Sequence, residues 1–199
     1  PCEPSKVLAL AGNYKSHLGD TPEHKNPEAF IKAPSALLAH EGAIVIPKGA
    51  EDVHFEGELV IVIGAKAKDV TAAEAAKHIF GYTCGNDVSA RIWQKNDVQW
   101  WRAKACDTFA PLGPWIACGI DPAALRLTTR VNGRVTQESP TNLLVHDAAA
   151  IVSFLSAHMT LLPGDIIFTG TPGTTSALAS GDVVEVEIDG IGVLRNRVA

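Results

Sequence analysis

The stretch VHFEGELVIVIG, residues 53 to 64, constrains this chain more than any other. Val60, Ile61, Val62 and Ile63 form an uninterrupted β-branched run, which predicts a strand buried on both faces. Two carboxylates, Glu56 and Glu58, stand at its entrance. Residues i and i+2 of a strand share a face, so the two acids should project side by side, with their Cα atoms roughly 7 Å apart. Like charges at the mouth of an apolar strand raise each other's pKa and cost stability.

The rest of the chain reads as one domain, residues 1–199, with no internal repeat and no low-complexity linker. Strands are expected at VLALA, residues 7 to 11, near 29–33, 43–46 and 54–63, and at IIFT, residues 166 to 169. A helix is expected over 71–80, with Thr71 and Glu74 as a capping box and Gly81 as its stop. A second is expected over 147–159, with Ile151, Phe154, Leu155 and His158 on one stripe. Asn132-Gly133 and Asp189-Gly190 sit between strand-like runs as hairpin turns. The polar stretch GNYKSHLGDTPEHKNP, residues 12 to 27, predicts a mobile loop or short helix over the body of the fold. There is no regular βα alternation and no GxGxxG after a strand, which argues against a dinucleotide-binding fold. The expectation is an α+β domain, mostly β, built on a mixed, rolled sheet with few helices.

Composition narrows the function. The net charge is −5 and no basic run occurs, so a nucleic-acid partner is not expected. No apolar stretch approaches the ~20 residues that span a bilayer, so neither is a membrane. The first residues, PCEP, do not resemble a signal peptide. Cys2, Cys84, Cys106 and Cys118 form no CxxC pair and no zinc spacing. Free thiols in a reducing, cytoplasmic compartment are the expectation.

A third acid, Asp87, lies among small and apolar residues in YTCGNDVSAR, residues 82 to 91. If that segment lies against the Glu56/Glu58 strand, three carboxylates converge, and a ligand set of oxygens alone selects Mg2+, Mn2+ or Ca2+ over zinc or copper. The bland alternative is an exposed strand end whose acids touch water. His54 shares their face and is expected to be a bystander. Trp93, Trp100, Trp101 and Trp115 are expected in the core or a dimer interface. His158 is expected at the core or its boundary, and His24, His40, His78 and His146 show no ligand spacing.

Seven blocks in order carry a resemblance across nearly the whole chain: GNYKSH from Gly12, FIKAPS from Phe30, VHFEGELVIVIG from Val53, GYTCGNDVSAR from Gly81, RAKACDTFAPLGP from Arg102, MTLLPGDIIFTGTP from Met159 and GDVVEVEIDGIG from Gly181. The chain resembles the fumarylacetoacetate hydrolase family. The resemblance implies a mixed β-roll, usually homodimeric, with Mg2+ or Mn2+ held by Glu56, Glu58 and Asp87. It implies that Lys104 is the active-site lysine, kept protonated by the acids. It implies that His17 and an acid three residues on, here Asp20 where Glu is usual, form a water-activating dyad. A histidine has the right unperturbed pKa for such base work. Arg91 and Gln94 match positions that reach substrate carboxylate and carbonyl oxygens, and Tyr14 and Lys32 match pocket positions. Gly170 and Thr171 match a segment whose threonine hydroxyl and backbone N–H groups bind substrate oxygens. Two departures stand out: Ile92 where an acid usually follows the arginine, and GTTSA from Gly173 where the family often continues with xGVG.

The function implied is a metal-dependent enzyme acting on a small 2-oxo or β-diketo acid, such as an acylpyruvate. It would cleave a C–C bond through a metal-stabilised enolate. Isomerisation of a hydroxy-diene-dioate, tautomerisation, or decarboxylation of oxaloacetate would use the same electron sink. A non-catalytic metal-binding scaffold is the rival of another class.

Overall fold

The computed structural model describes residues 3–199, so Cys2 lies outside the description. The strand Gly57–Ile63 is the centre of a seven-stranded mixed sheet. It pairs antiparallel with Ile166–Phe168 on one side and Ile79–Asn86 on the other. The sheet extends through Val7–Ala11 to Glu28–Lys32 at one end, and through Ala110–Ala117 to Leu37–Leu38 at the other. The β-branched run is dry on both sides, as its sequence demands. Leu59, Ile61 and Ile63 pack with Leu127, Val186 and Leu155. Val60 and Val62 pack with Val7, Leu112 and Phe168. Full burial of each such side chain contributes roughly 1.5–3 kcal/mol.

The second, five-stranded sheet runs in the order Arg134–Pro140, Arg126–Val131, Val183–Ile188, Gly192–Val198, Ala43–Ile44. It covers the Leu59 face of the first sheet, together with the helix Ala148–His158. Asn132 and Gly133 both take positive φ, 53° and 77°, as a tight primed turn requires. Asp147 caps the long helix by accepting from the N–H of Ala150 at 2.8 Å. The result is a mostly β architecture of curled mixed sheets with few helices, the fold class expected.

Some local expectations are corrected. The helix expected over 71–80 is only Ala72–Ala75, followed by a 3-10 turn at Ala76–His78. Ile79 and Phe80 belong to the next strand: Ile79 pairs with Ile63, and the N–H of Gly64 donates to the carbonyl of His78 at 2.8 Å. Sheet pairing outweighs helix propensity there. The Thr71 hydroxyl donates to the Glu74 carboxylate at 3.0 Å and caps no backbone group. His158 is exposed, its ring against Phe154 at 4.7 Å. Trp101 and Trp115 are 68% and 66% exposed, outside the core of this chain.

The segment 12–27 contains the short helix Lys15–Leu18. Its first turn is fixed by the N–H groups of His17 and Leu18 donating to the carbonyl of Tyr14. That helix carries His17 to the mouth of the central strand.

Candidate active site

Strand pairing places the acids. The main sheet begins at Gly57 opposite Asn86, so Glu56 and Asp87 meet one step beyond the ladder. There the N–H of Asp87 donates to the carbonyl of Glu56 at 2.8 Å, and the N–H of Glu56 donates to the Asn86 side chain at 2.9 Å. Glu58 projects from the strand itself. The bland alternative, acids at an exposed strand end, does not hold: Glu56, Glu58 and Asp87 are 4%, 1% and 0% exposed, and an oxygen from each lies within 4.8 Å of the others.

Cations surround two of the three acids. The Lys104 ammonium bridges Glu56 at 2.6 Å and Asp87 at 2.9 Å. Lys32, fully buried, donates to Asp87 at 2.5 Å and to the carbonyl of Lys104. Arg91 reaches Glu56 at 2.6 Å. Burial alone would raise the Glu56 pKa, but Lys104 and Arg91 overcome it and hold the carboxyl below the usual range. Burial likewise opposes the charge on Lys104, yet Asp87 and Glu56 keep its pKa above the ordinary value. Lys32 is pushed down, chiefly by burial and also by the charge of Lys104, with Asp87 opposing.

Glu58 is different. Among the described residues its carboxylate has no cationic side chain within salt-bridge distance, and it accepts from the N–H of Gly170 at 2.6 Å. Burial first, then the charges of Asp87 and Glu56, raise its pKa well above the ordinary value. A hard divalent cation fits this donor set: three carboxylates, oxygen only, with one acid still uncompensated. Gly170 itself sits at φ 101°, and a Cβ there would lie 2.9 Å from the Cβ of Asn13, so its identity follows from the close approach that aims this N–H.

A cavity of about 240 Å3 opens onto the acids, lined by His17, Glu56, Glu58, Gln94, Lys104 and Thr171 on its polar side. Phe30 and Trp100 form an aromatic wall, their rings edge to face at 5.4 Å. Thr21 and His24 also face it, and no sequence signal marks them. A larger cavity of about 600 Å3, lined by Ile79, Tyr82, Ile120 and Ala148 among others, lies apart from the acids.

The remaining candidates fall into place around the cavity. The Nδ1 of His17 is 2.6 Å from the carbonyl of Gly173, and its Nε2 is 3.8 Å from the Glu56 carboxylate. A carbonyl only accepts, so Nδ1 carries the hydrogen and Nε2 of the neutral ring presents its lone pair. The expected His17–Asp20 pair is not formed: Asp20 is exposed beyond the end of the short helix, and the Gly173 carbonyl takes its place. Arg91 is held by Glu56, by Gln94 at 2.8 Å and by Thr175 at 2.9 Å. Lys32 lies behind the acids rather than in the cavity wall. Tyr14 is buried, its hydroxyl without a hydrogen-bond partner among the described residues, and burial followed by the charge of Glu58 raises its pKa. His54 turns to Asp52 and Thr175, both at 2.8 Å, and takes no part in the acid cluster. The Thr171 hydroxyl, expected to meet substrate, donates to the carbonyl of Gly57 at 2.8 Å and accepts from Gln137 at 2.9 Å, so its hydrogen is already committed.

Comparison with known proteins gives one consistent answer. The family described as Fumarylacetoacetate (FAA) hydrolase C-terminal matches residues 6–199. The crystal structure of a 5-carboxymethyl-2-hydroxymuconate delta-isomerase from Mycobacterium smegmatis is 49% identical with a TM-score of 0.95, over 100% of this chain and 80% of that one. The mitochondrial oxaloacetate tautomerase FAHD2A of Bos taurus is 39% identical over 209 residues, 98% of this chain and 67% of that protein. The maleylpyruvate hydrolase from Sphingobium sp. SYK-6 is 35% identical with a TM-score of 0.87, over 99% of this chain and 71% of that one.

Proposed function

We propose, from the premise that the chain belongs to the fumarylacetoacetate hydrolase family, that it moves a proton between carbon and oxygen of a small 2-oxo dicarboxylic acid, an isomerase or tautomerase with Mg2+ or Mn2+ held by Glu56, Glu58 and Asp87. The observation that carries this reading is the setting of His17. Its ring is oriented by a neutral carbonyl, and its basic nitrogen faces the cavity beside Glu56. Moving a proton requires only such a base. Driving hydroxide onto a carbonyl is helped by a carboxylate behind the imidazole, and Asp20 does not supply one here. The tautomerase and isomerase relatives support the same reading.

A cation held by Glu56, Glu58 and Asp87 would supply Lewis-acid polarisation of the substrate's oxygens. The chain's own groups do the rest. His17 takes a proton from the carbon next to the carbonyl, the C–H electrons become the C=C bond, the carbonyl oxygen gains the charge, and the protonated imidazole then delivers the proton to that oxygen and is restored as the base. Lys104, held charged by Glu56 and Asp87, offsets that charge. Gln94 accepts from Arg91 through Oε1, which leaves its amide N–H groups to orient a substrate oxygen. Phe30 and Trp100 exclude water from one side. A homodimer is part of the proposal, supported by the exposed apolar surface at Phe80, Trp101 and Trp115. So is a reducing, cytoplasmic setting, supported by free thiols at Cys84, Cys106 and Cys118.

The second reading is C–C hydrolysis of an acylpyruvate, favoured by the likeness to the maleylpyruvate hydrolase. Two assays separate the readings. In one, oxaloacetate enol decay and pyruvate are followed together, with and without Mn2+. In the other, acetylpyruvate is tested for cleavage. Metal-dependent enol decay without pyruvate supports proton transfer. Acetylpyruvate cleaved to pyruvate, with no enol–keto catalysis, replaces it with the hydrolase.

A further inference from the structure

Gln137 stands on the strand Arg134–Pro140 of the second sheet, 4% exposed, far in sequence from every candidate above. Its side chain reaches the site through Gly57, the residue between the two glutamates. The Gln137 Oε1 accepts from the N–H of Gly57 at 3.1 Å. The Gln137 Nε2 donates to the Thr171 hydroxyl at 2.9 Å and to the carbonyl of Pro172 at 2.6 Å. The Thr171 hydroxyl completes a ring by donating to the carbonyl of Gly57 at 2.8 Å. The N–H and the C=O of Gly57 belong to the two peptide units that join it to Glu56 and Glu58. Both units are therefore pinned, one by Gln137 and one by Thr171. The approach is tight: a Cβ at Gly57 would lie 2.0 Å from the Thr129 hydroxyl.

We propose that Gln137 is a positioning residue for the cation site: through Thr171 it fixes the Glu56-Gly57-Glu58 backbone and so sets the spacing of the two carboxylates. The inference rests on the reading of Glu56, Glu58 and Asp87 as that site. Every donor and acceptor in the ring is satisfied only while Gln137 is present. Its loss frees the Glu56-Gly57 peptide unit outright and removes the donor that orients the Thr171 hydroxyl on the Gly57 carbonyl, without touching a ligand. Groups that hold ligands in this way typically account for about 10- to 100-fold in metal affinity.

The test is Mn2+ binding by the chelator-treated protein, read from the electron paramagnetic resonance of free Mn2+, with no substrate present. Gln137→Leu should weaken binding by about 10- to 100-fold. Thr171→Val, which removes the hydroxyl and keeps the shape, should weaken it comparably, and Thr171→Ser should restore it. The double variant Gln137→Leu/Thr171→Val should be no weaker than the worse single one, because both break the same ring. Ser139→Ala, two residues along the same strand and buried, bears only on stability and should leave binding unchanged. Equal Mn2+ affinity in wild type and Gln137→Leu overturns the proposal. So does an effect of Ser139→Ala as large as that of Gln137→Leu. If Gln137→Leu does not fold, the Thr171→Val and Thr171→Ser pair decides by the same criterion. Absence of Mn2+ binding by the wild type would instead remove the site reading, and this inference with it.

Discussion

Lys104→Met isolates the electrostatics of the acid cluster from its chemistry. Lys104 is 3% exposed and bridges Glu56 and Asp87 at 2.6 and 2.9 Å. The substitution keeps much of the side chain's length and removes its charge. Arg91 remains beside Glu56 and Lys32 beside Asp87, but both acids lose the cation they share, and two cations are left facing three buried carboxyl groups. Removing one partner of a buried ion pair costs about 3–5 kcal/mol, because the other is left uncompensated. For a chain of this length each kcal/mol shifts Tm by about 2–4 °C, so in chelator the variant should melt roughly 6–20 °C below wild type. A divalent cation supplies positive charge at the same place. The variant should therefore bind Mn2+ more tightly and gain more Tm than wild type does at the same free Mn2+ concentration. Thermal unfolding of both proteins, with EDTA and then with a Mn2+ series, reads both quantities. Equal melting in chelator, or an equal Mn2+ increment in the two proteins, would refute the reasoning.

Three further outcomes are expected. His17→Gln should reduce turnover by about 10²- to 10⁴-fold while Mn2+ affinity holds, since the ring faces the cavity without being a ligand; steady-state kinetics beside metal titration checks it. Asp20→Ala should change turnover by no more than about twofold, the scale of an exposed substitution; a drop as large as that of His17→Gln would restore the dyad. Asp165 ties the Pro163-Gly164-Asp165 turn to the first strand, accepting from Ser5, Lys6 and Leu162, among them the Ser5 hydroxyl at 2.7 Å and the Leu162 N–H at 2.8 Å. Burial would raise its pKa, but these donors hold it below the ordinary carboxylate value. A depressed folded pKa contributes stability that is fully present above the unfolded value, about 3.9, and lost as pH falls through the folded one. Urea midpoints of wild type and Asp165→Asn should differ by a constant amount above about pH 5 and converge in stronger acid. A gap that is unchanged at pH 2 would refute the assignment.

What the sequence reveals follows from how local each signal is. The central strand is legible because four β-branched residues in a row suit only a strand dry on both faces, and the hairpin at Asn132-Gly133 because few residues tolerate its φ angles. Glu56 and Glu58 are legible from period-two spacing, whereas Asp87 joins them only through the register of two strands some thirty residues apart in sequence. The helix expected over 71–80 is cut short because Ile79 finds a partner in Ile63, a pairing that no local propensity contains. His17 has a family context, but its partner is the backbone carbonyl of Gly173, which has no side-chain signature. Gln137 is invisible for the same reason: its importance lies in what the second sheet brings against Gly57. Lys32 and Arg91 carry the right residue types, yet both face the acids as counter-charges.

The central claim is proton transfer at a carbon by His17, with the cation held at Glu56, Glu58 and Asp87. Hydrogen–deuterium exchange at the C3 methylene of oxaloacetate in D2O, followed by NMR with pyruvate observed in the same spectra, tests it directly. The account predicts exchange that requires added Mg2+ or Mn2+, disappears in His17→Gln and runs ahead of any pyruvate. Exchange that persists in His17→Gln, or pyruvate that appears as fast as deuterium enters, would contradict it.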